Sequence, residues 1–388
     1  MVLERGWVRW LVDRQRVRAA WAVWAIVFLV FTAVTIAKPE FRSVTSAYRN
    51  ASENWFAGRG IYPQREGEMN YLPQFAILFS PFERLPKAAG DTLWRLLQMG
   101  VFVSALRRLA TMVQSDRKDL FLLVSILAAP GALNTAMNGQ SNLLLAGAMG
   151  HAAVDLLHQR FWAVAGWLIA GLIAKPIAVV IVLLVAVTDR AVIPWLLGGM
   201  ALTVLAPLAF DAWPTVAGSY SAWFRQLLLL APSEEPRFED LAGLLRVPGW
   251  HLDPGVWFVL RVTAGAAVLA AWWIGSRRLE GPHRVLALLG LSAGYLMLFN
   301  PRTESNSYVI LAPAIAVLAA RFLAVESSRA GWVLAALALA LGNAGMGNPI
   351  WPLTKLWLKP VVALAFLGWI VHRIFRRRPA AGARASDG

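Results

Sequence analysis

The sequence contains no cysteine. It therefore offers no disulfide, no thiolate nucleophile and no cysteine-based metal site. Histidine is also scarce, with five residues in a chain of 388, so a metal site built from several histidines is not expected. The chemistry of the protein has to come from other side chains.

Charged residues are scarce as well. They make up 15% of the chain, whereas an average soluble domain has about 25%. Hydrophobic residues reach 58%, and the mean hydropathy is +0.55. A water-soluble chain of this length has no interior large enough for so much apolar surface, which excludes soluble enzymes, disordered chains and fibrous proteins. The composition indicates a polytopic integral membrane protein.

Apolar segments recur along the whole chain. A helix needs about 20 apolar residues to cross a hydrocarbon core of about 30 Å. We expect one all-α membrane domain over residues 1–388, with about twelve transmembrane helices and no cleavable signal peptide before the first. The predicted spans are 20–37, 92–108, 119–136, 142–158, 161–174, 176–188, 191–210, 256–275, 284–299, 308–323, 330–345 and 360–375.

Basic residues predict the orientation. There are 37 Lys and Arg against 22 Asp and Glu, and in a membrane protein such an excess marks cytoplasmic loops rather than a nucleic-acid partner. The Arg-rich ends, 1–19 and 376–388, are therefore expected in the cytoplasm. The long segments 38–91 and 211–255 then lie outside, which predicts a multi-pass protein of the plasma (inner) membrane with an extracytoplasmic active face. The short loops expected inside carry Arg107, Arg108, Arg117, Lys118, Arg160, Arg190, Arg277, Arg278, Arg284, Arg321 and Arg329.

The first long outer segment contains two short helical patterns. Residues 48–58 predict an amphipathic helix that ends at a glycine. The apolar run 75–82 is too short to span, so it predicts an interfacial or re-entrant helix. Composition alone favours helices that lie on the membrane without chemistry.

Three polar stretches interrupt the apolar sequence on the expected outer side. Asn138 to Asn142 form a turn with more amides than a turn needs, and Asn300 to Tyr308 include Arg302 and Glu304. Lys175 lies within an apolar run, where a charge is costly and indicates function by default. The alternatives are a helix break from which Lys175 reaches outward, and a local Arg302–Glu304 ion pair of little consequence.

Together these patterns resemble glycosyltransferase family 87, of the GT-C superfamily. The resemblance covers roughly residues 20–320. It implies that a hexose, mannose-like, is moved from a polyprenyl-phosphate donor to a lipid or glycan acceptor, without a metal or further cofactor because the donor lacks a diphosphate. The motifs that carry it are Trp55 to Tyr62, Tyr71-Leu72-Pro73 with Pro81-Phe82, Gly139-Gln140-Ser141-Asn142, Lys175-Pro176 and, in part, Asp240 to Arg246.

This chemistry assigns candidate residues. An anionic leaving group needs cationic or amide donors, and an acceptor hydroxyl needs a carboxylate base. Glu53 has an alternative explanation, a helix-surface pair with Arg49 four residues earlier. The candidate bases are, in order, Glu304, Glu53 and Glu68; the candidate substrate-binding residues are Arg302, Lys175, Gln140, Asn138, Asn142, Tyr71 and Asn306.

The sequence departs from the family pattern at two points. Members tend to have a His near the outer end of a late helix, after a Pro, where this sequence has Asn306. Members carry an Asp shortly before the Tyr of the first-loop helix, whereas residues 43–48 contain no acid here. Two other functions therefore stay open: a transporter or flippase of lipid-linked or small polar substrates, and a non-catalytic membrane subunit. The absence of an internal repeat weighs against a transporter.

Overall fold

The computed structural model describes residues 8, 10–62, 69–115, 118–230, 238–300, 302–344 and 348–376. Arg117, Glu68 and the tail from 377 onward, all used in the predictions above, lie outside these ranges. Within them the chain is helical and has no strand, so the predicted all-α class is confirmed.

Short 3₁₀ turns join several of the helices. The helices are α1 (Val17–Ala37), α2 (Thr45–Phe56), α3 (Pro73–Glu83), α4 (Lys87–Val113), α5 (Phe121–Asn138), α6 (Asn142–Leu157), α7 (Phe161–Ala174), α8 (Val179–Thr188), α9 (Ile193–Leu205), α10 (Trp213–Leu230), α11 (Leu241–Arg246), α12 (Pro254–Arg278), α13 (Gly281–Phe299), α14 (Ala312–Ala324), α15 (Arg329–Ala340), α16 (Trp351–Thr354) and α17 (Leu358–Arg376).

Each of the twelve predicted spans corresponds to one helix of the structure. Among the described residues, seven helical stretches are long and apolar enough to cross a membrane, namely α1, α4, α5, α9 with its flanking 3₁₀ turns, α12, α13 and α17. The other five, α6, α7, α8, α14 and α15, are apolar but shorter. The protein is therefore a multi-pass membrane protein, with long spans mixed with short helices.

The core of the bundle is formed by α5, α6, α13 and α14, most of whose side chains are buried. Close approach of α4 and α6 depends on Gly147, because a Cβ at that position would meet the Phe102 backbone nitrogen at 2.9 Å. Small residues allow such close helix packing in membranes. By contrast, α9 and α12 expose most of their apolar side chains, as expected for helices that face lipid.

The two ends of the helix bundle have different polar contacts. At one end, called the site end below, Val44 N donates to the Asn138 carbonyl at 3.1 Å, and the segments around Lys175 and Ser305 join them. At the opposite end, three arginines near the end of α4 and the start of α13 form ion pairs of 2.5 to 2.6 Å. They are Arg107–Asp119, Arg108–Asp155 and Arg284–Asp189.

The two long segments at the site end contain helices. The first carries α2, whose last helical residue is Phe56. Gly58 follows in the left-handed region with φ +66°, and its N donates to the Trp55 carbonyl at 3.1 Å, so the predicted glycine caps the helix. It also carries α3, which includes the apolar run predicted to be helical. The second long segment, predicted only as an outer loop, contains the 18-residue helix α10 as well as α11.

Candidate active site

A tight turn after α5 delivers the predicted amides. Gly139 has φ +73°, a conformation that glycine adopts at no steric cost. Its carbonyl accepts hydrogen bonds from the Trp94 indole at 2.8 Å and from the Gln98 amide at 3.1 Å. These bonds fix the turn, so Gln140 and Asn142 leave it in defined directions.

Four of the predicted residues form one hydrogen-bonded series, called the polar chain below. Lys175 Nζ donates to Asn142 Oδ1 at 2.7 Å. Asn142 Nδ2 donates in turn to Gln140 Oε1, and Gln140 Nε2 lies 3.5 Å from Glu304 Oε2. A cation and a carboxylate from distant parts of the sequence are thus brought into one half-buried site, with two amides between them.

Lys175 stands at a break between two helices. Its backbone is extended (φ −162°, ψ 119°), α7 ends just before it, and a 3₁₀ turn starts at Pro176. Proline disfavours helix at the residue before it, which explains the break. The predicted helix break is therefore present, and the ammonium group of Lys175 joins the polar chain.

The other two candidate bases are placed differently. Glu53 is exposed on α2 and forms an ion pair with Arg59 at 2.8 Å. The alternative pairing of Glu53 with Arg49 is wrong, since Arg49 Nε binds the fully buried carboxylate of Asp91 at 3.0 Å. Glu68 lies outside the described residues. Of the two candidates that the structure describes, Glu304 is the one in the polar chain.

The remaining predicted residues surround the polar chain. Arg302 is half-buried, with its guanidinium 5.3 Å from the centroid of the Phe238 ring. Asn306 and Asn138 both have a buried side-chain oxygen without a hydrogen-bond partner among the described residues. Their backbone carbonyls accept from Thr135 Oγ1 at 2.5 Å and from Val44 N at 3.1 Å, respectively.

Tyr71 belongs to an aromatic cluster beneath the site. Its hydroxyl lies 2.9 Å from the Tyr48 hydroxyl, and its carbonyl accepts from Tyr62 Oη at 2.7 Å. Burial raises the pKa of Tyr71, so its hydroxyl stays protonated. The Phe75 and Trp94 rings pack against this pair, and the Trp94 indole also binds the Gly139 carbonyl, so the first long segment is joined to α4 beside the Gly139 turn.

Two ionisable residues near the site were missed by the sequence prediction. Lys359 and Glu239 are 1% and 2% exposed, and Lys359 Nζ donates to the Ser305 carbonyl at 2.9 Å and to Ser305 Oγ at 2.6 Å. Burial raises the pKa of Glu239 above its ordinary value, and the Lys359 charge opposes this shift. A signal was present: Lys359-Pro360 repeats the Lys-Pro pair of Lys175-Pro176 at the edge of an apolar run.

Residues 70–301 match the family described as glycosyltransferase family 87. The protein belongs to glycosyltransferase family 87. It is therefore a membrane glycosyltransferase. The match includes the Gly139 turn and the Lys175-Pro176 pair, whereas α2 and Glu304 lie outside it. No protein among the curated ones matches the chain.

Proposed function

We propose that the protein transfers a hexose, mannose-like, from a polyprenyl-phosphate donor to a lipid or glycan acceptor at the site end. Membership of the family supplies the transferase class. The observation that carries the finer proposal is the polar chain, in which the Lys175 ammonium and the Glu304 carboxylate lie on either side of two amides. These are the two charges that such a transfer needs.

The cationic end of the polar chain suits the leaving group. As the bond between the sugar C1 and the phosphate oxygen breaks, the bonding electrons stay on the polyprenyl phosphate, whose negative charge increases. Charge-assisted hydrogen bonds to phosphate are stronger than neutral ones. Lys175 is placed to supply them, with Arg302 beside the site, and no cofactor beyond the lipid-linked donor is required.

The carboxylate end suits the acceptor. The acceptor hydroxyl forms the new bond to the sugar C1 and gives its proton to Glu304, acting as general base. Glu304 is half-buried and so remains reachable from the site. Two amides separate the carboxylate from Lys175, so the two charged groups do not form a direct ion pair with each other.

We also propose that the site end faces the extracytoplasmic side of the plasma membrane, with both termini in the cytoplasm. The support comes from the distribution of charge. Arg107, Arg108 and Arg284 lie near helix ends at the opposite end of the bundle, and an excess of Lys and Arg marks the cytoplasmic side of a membrane protein. A polyprenyl-phosphate donor displayed on the outer leaflet would reach the site from within the membrane.

Donor specificity can be tested directly. The purified full-length protein is incubated with a polyprenyl-phosphate hexose or a nucleotide hexose, each with lipid and glycan acceptors. Transfer from the polyprenyl donor alone is the expected result. Transfer only from the nucleotide sugar would overturn the donor assignment. Movement of the donor across a proteoliposome membrane without transfer would indicate a transporter instead.

A further inference from the structure

Local secondary structure does little to fix Glu304. Its backbone is extended (φ −93°, ψ 165°), and its side chain makes no capping bond to the 3₁₀ helix Ser305–Ile310 that follows. The contact from its carboxylate to Gln140 is long, at 3.5 Å. The direction of this side chain therefore depends on what holds its two neighbours, Thr303 and Ser305.

Lys359 holds the residue after Glu304. It lies at the start of α17 and reaches Ser305 with two hydrogen bonds, to the carbonyl at 2.9 Å and to Oγ at 2.6 Å. Its ammonium also lies 5.6 Å from the centroid of the Tyr308 ring. Two bonds to one residue fix both its backbone and its side chain.

Glu239 holds the residue before Glu304. Its backbone N donates to the Thr303 carbonyl at 2.7 Å, and its own carbonyl accepts from Tyr308 Oη at 2.7 Å. Its buried side chain interacts with the Lys359 charge and with the Ser305 hydroxyl. The two buried residues thus reach Glu304 from both sides and also influence each other.

Burying two charged residues such as Lys359 and Glu239 is an unfavourable way to stabilise a fold. Removing two charges from water is costly, and apolar residues of similar volume often serve stability equally well. Glu239 Oε2 has no hydrogen-bond partner among the described residues, so hydrogen bonds do not fully offset the cost of removing this carboxylate from water. A role in orientation explains why polar groups stand there.

We infer that Lys359 and Glu239 are positioning residues that hold Glu304 in the direction required for proton transfer. This inference rests on the proposed function, in which Glu304 is the general base. The competing explanation is that the pair only anchors α17 to the loop. If the pair were only an anchor, replacing it would lower the stability of the protein and change both kcat and KM. If the pair positions Glu304, replacing it lowers kcat and leaves the KM for the donor unchanged.

The experiment compares Lys359→Met, Ser305→Ala and the double variant Glu239→Gln/Lys359→Met. The double variant leaves no lone buried charge, so it keeps the test informative if Lys359→Met does not fold. Lys38→Met is the matched control, because Lys38 is exposed at the same end of the bundle. Each full-length variant is checked by thermal unfolding in detergent before kinetics.

We expect kcat to fall by about 100-fold in Lys359→Met, since small misplacements of a reacting group have effects of that size. The KM for the donor should stay within about twofold, because Lys175 is untouched. Ser305→Ala should show a smaller loss in the same direction. Lys38→Met should resemble the unmodified protein in both parameters.

Hydrogen exchange gives a readout that is independent of the donor. The Ser307 amide donates to the Glu304 carbonyl at 2.9 Å, and its exchange should become at least about tenfold faster when Lys359 is replaced. Unchanged exchange, or faster exchange with unchanged kcat, overturns the inference. If the unmodified protein does not use the polyprenyl donor, the proposed donor fails, and exchange still decides whether Lys359 holds this segment.

Discussion

Lys175 and Asn142 are joined by a hydrogen bond of 2.7 Å although 33 residues separate them in the sequence. The asparagine side chain therefore links the helix break at Lys175 to the turn at Gly139. Through Gln140 it also links the lysine to Glu304. The Asn142 amide thus connects three segments that the sequence singles out independently of one another.

Replacing Lys175 should weaken donor binding more than turnover. We expect Lys175→Met to raise the KM for a polyprenyl-phosphate hexose by about tenfold or more, because a charge-assisted bond to phosphate contributes about 1.5–3 kcal/mol. Steady-state kinetics on the purified protein measure this. The exposed lysine Lys38, at the same end, provides the matched control Lys38→Met. An equal loss in both variants would show that Lys175 has no specific role.

Replacing Glu304 should remove the base. We expect Glu304→Gln to lower kcat by about 10²- to 10⁴-fold, because general base catalysis contributes rate factors of that size. Glu304→Asp should retain part of the activity. Glu53→Gln should keep near-normal kcat, since Glu53 is exposed and pairs with Arg59. The reverse pattern, with a loss only in Glu53→Gln, would move the base to α2.

Removing the buried carboxylate beneath α2 should destabilise the protein. Asp91 is fully buried, and its partner Arg49 also donates to four backbone carbonyls around the start of α4. We expect Asp91→Asn to cost about 3–5 kcal/mol, as is typical when one partner of a buried pair is removed.

The control for that variant is a pair at the surface. Arg59→Met breaks the exposed Arg59–Glu53 pair, and should cost less than about 1 kcal/mol. Thermal unfolding in one detergent compares the two variants. Equal melting temperatures would show that the Asp91 contact does not support α2.

The absence of cysteine makes the orientation easy to measure, since any introduced thiol is the only one in the chain. Ala57 and Glu280 are exposed at the site end and at the opposite end, respectively. We expect a membrane-impermeant maleimide to label Ala57→Cys on intact cells. It should label Glu280→Cys only after permeabilisation. Reversed labelling would invert the proposed orientation.

The sequence predicts the helices well because hydrophobic length is a local property. All twelve predicted spans correspond to helices. The turn predicted from Asn138-Gly139 is also present, with Gly139 directly after the end of α5. The pairing of Arg49 with Glu53 follows an equally local rule and is wrong. A buried carboxylate 42 residues away outcompetes an exposed neighbour on the same helix, because charges attract more strongly where water is excluded.

The candidate site is only partly predictable for the same reason. Lys175, Gln140, Asn142 and Glu304 stand out as polar residues in apolar surroundings, and the structure brings them together. Apart from the Lys-Pro pair, Lys359 is an ordinary charge at the edge of a predicted span, and Glu239 is one of several acids in the second long outer segment. Their contacts with residues 303–305 depend on how α17 packs in the finished bundle.

The ion pairs at the opposite end bear on how substrates enter and leave. The carboxylates of Asp119, Asp155 and Asp189 are largely buried there, each held by an arginine at 2.5 to 2.6 Å. A cycle that opened this end at every turnover would have to break these pairs and rehydrate them each time. We therefore expect the protein to open only at the site end. The spent carrier lipid and the glycosylated product would then leave by the route through which the donor entered.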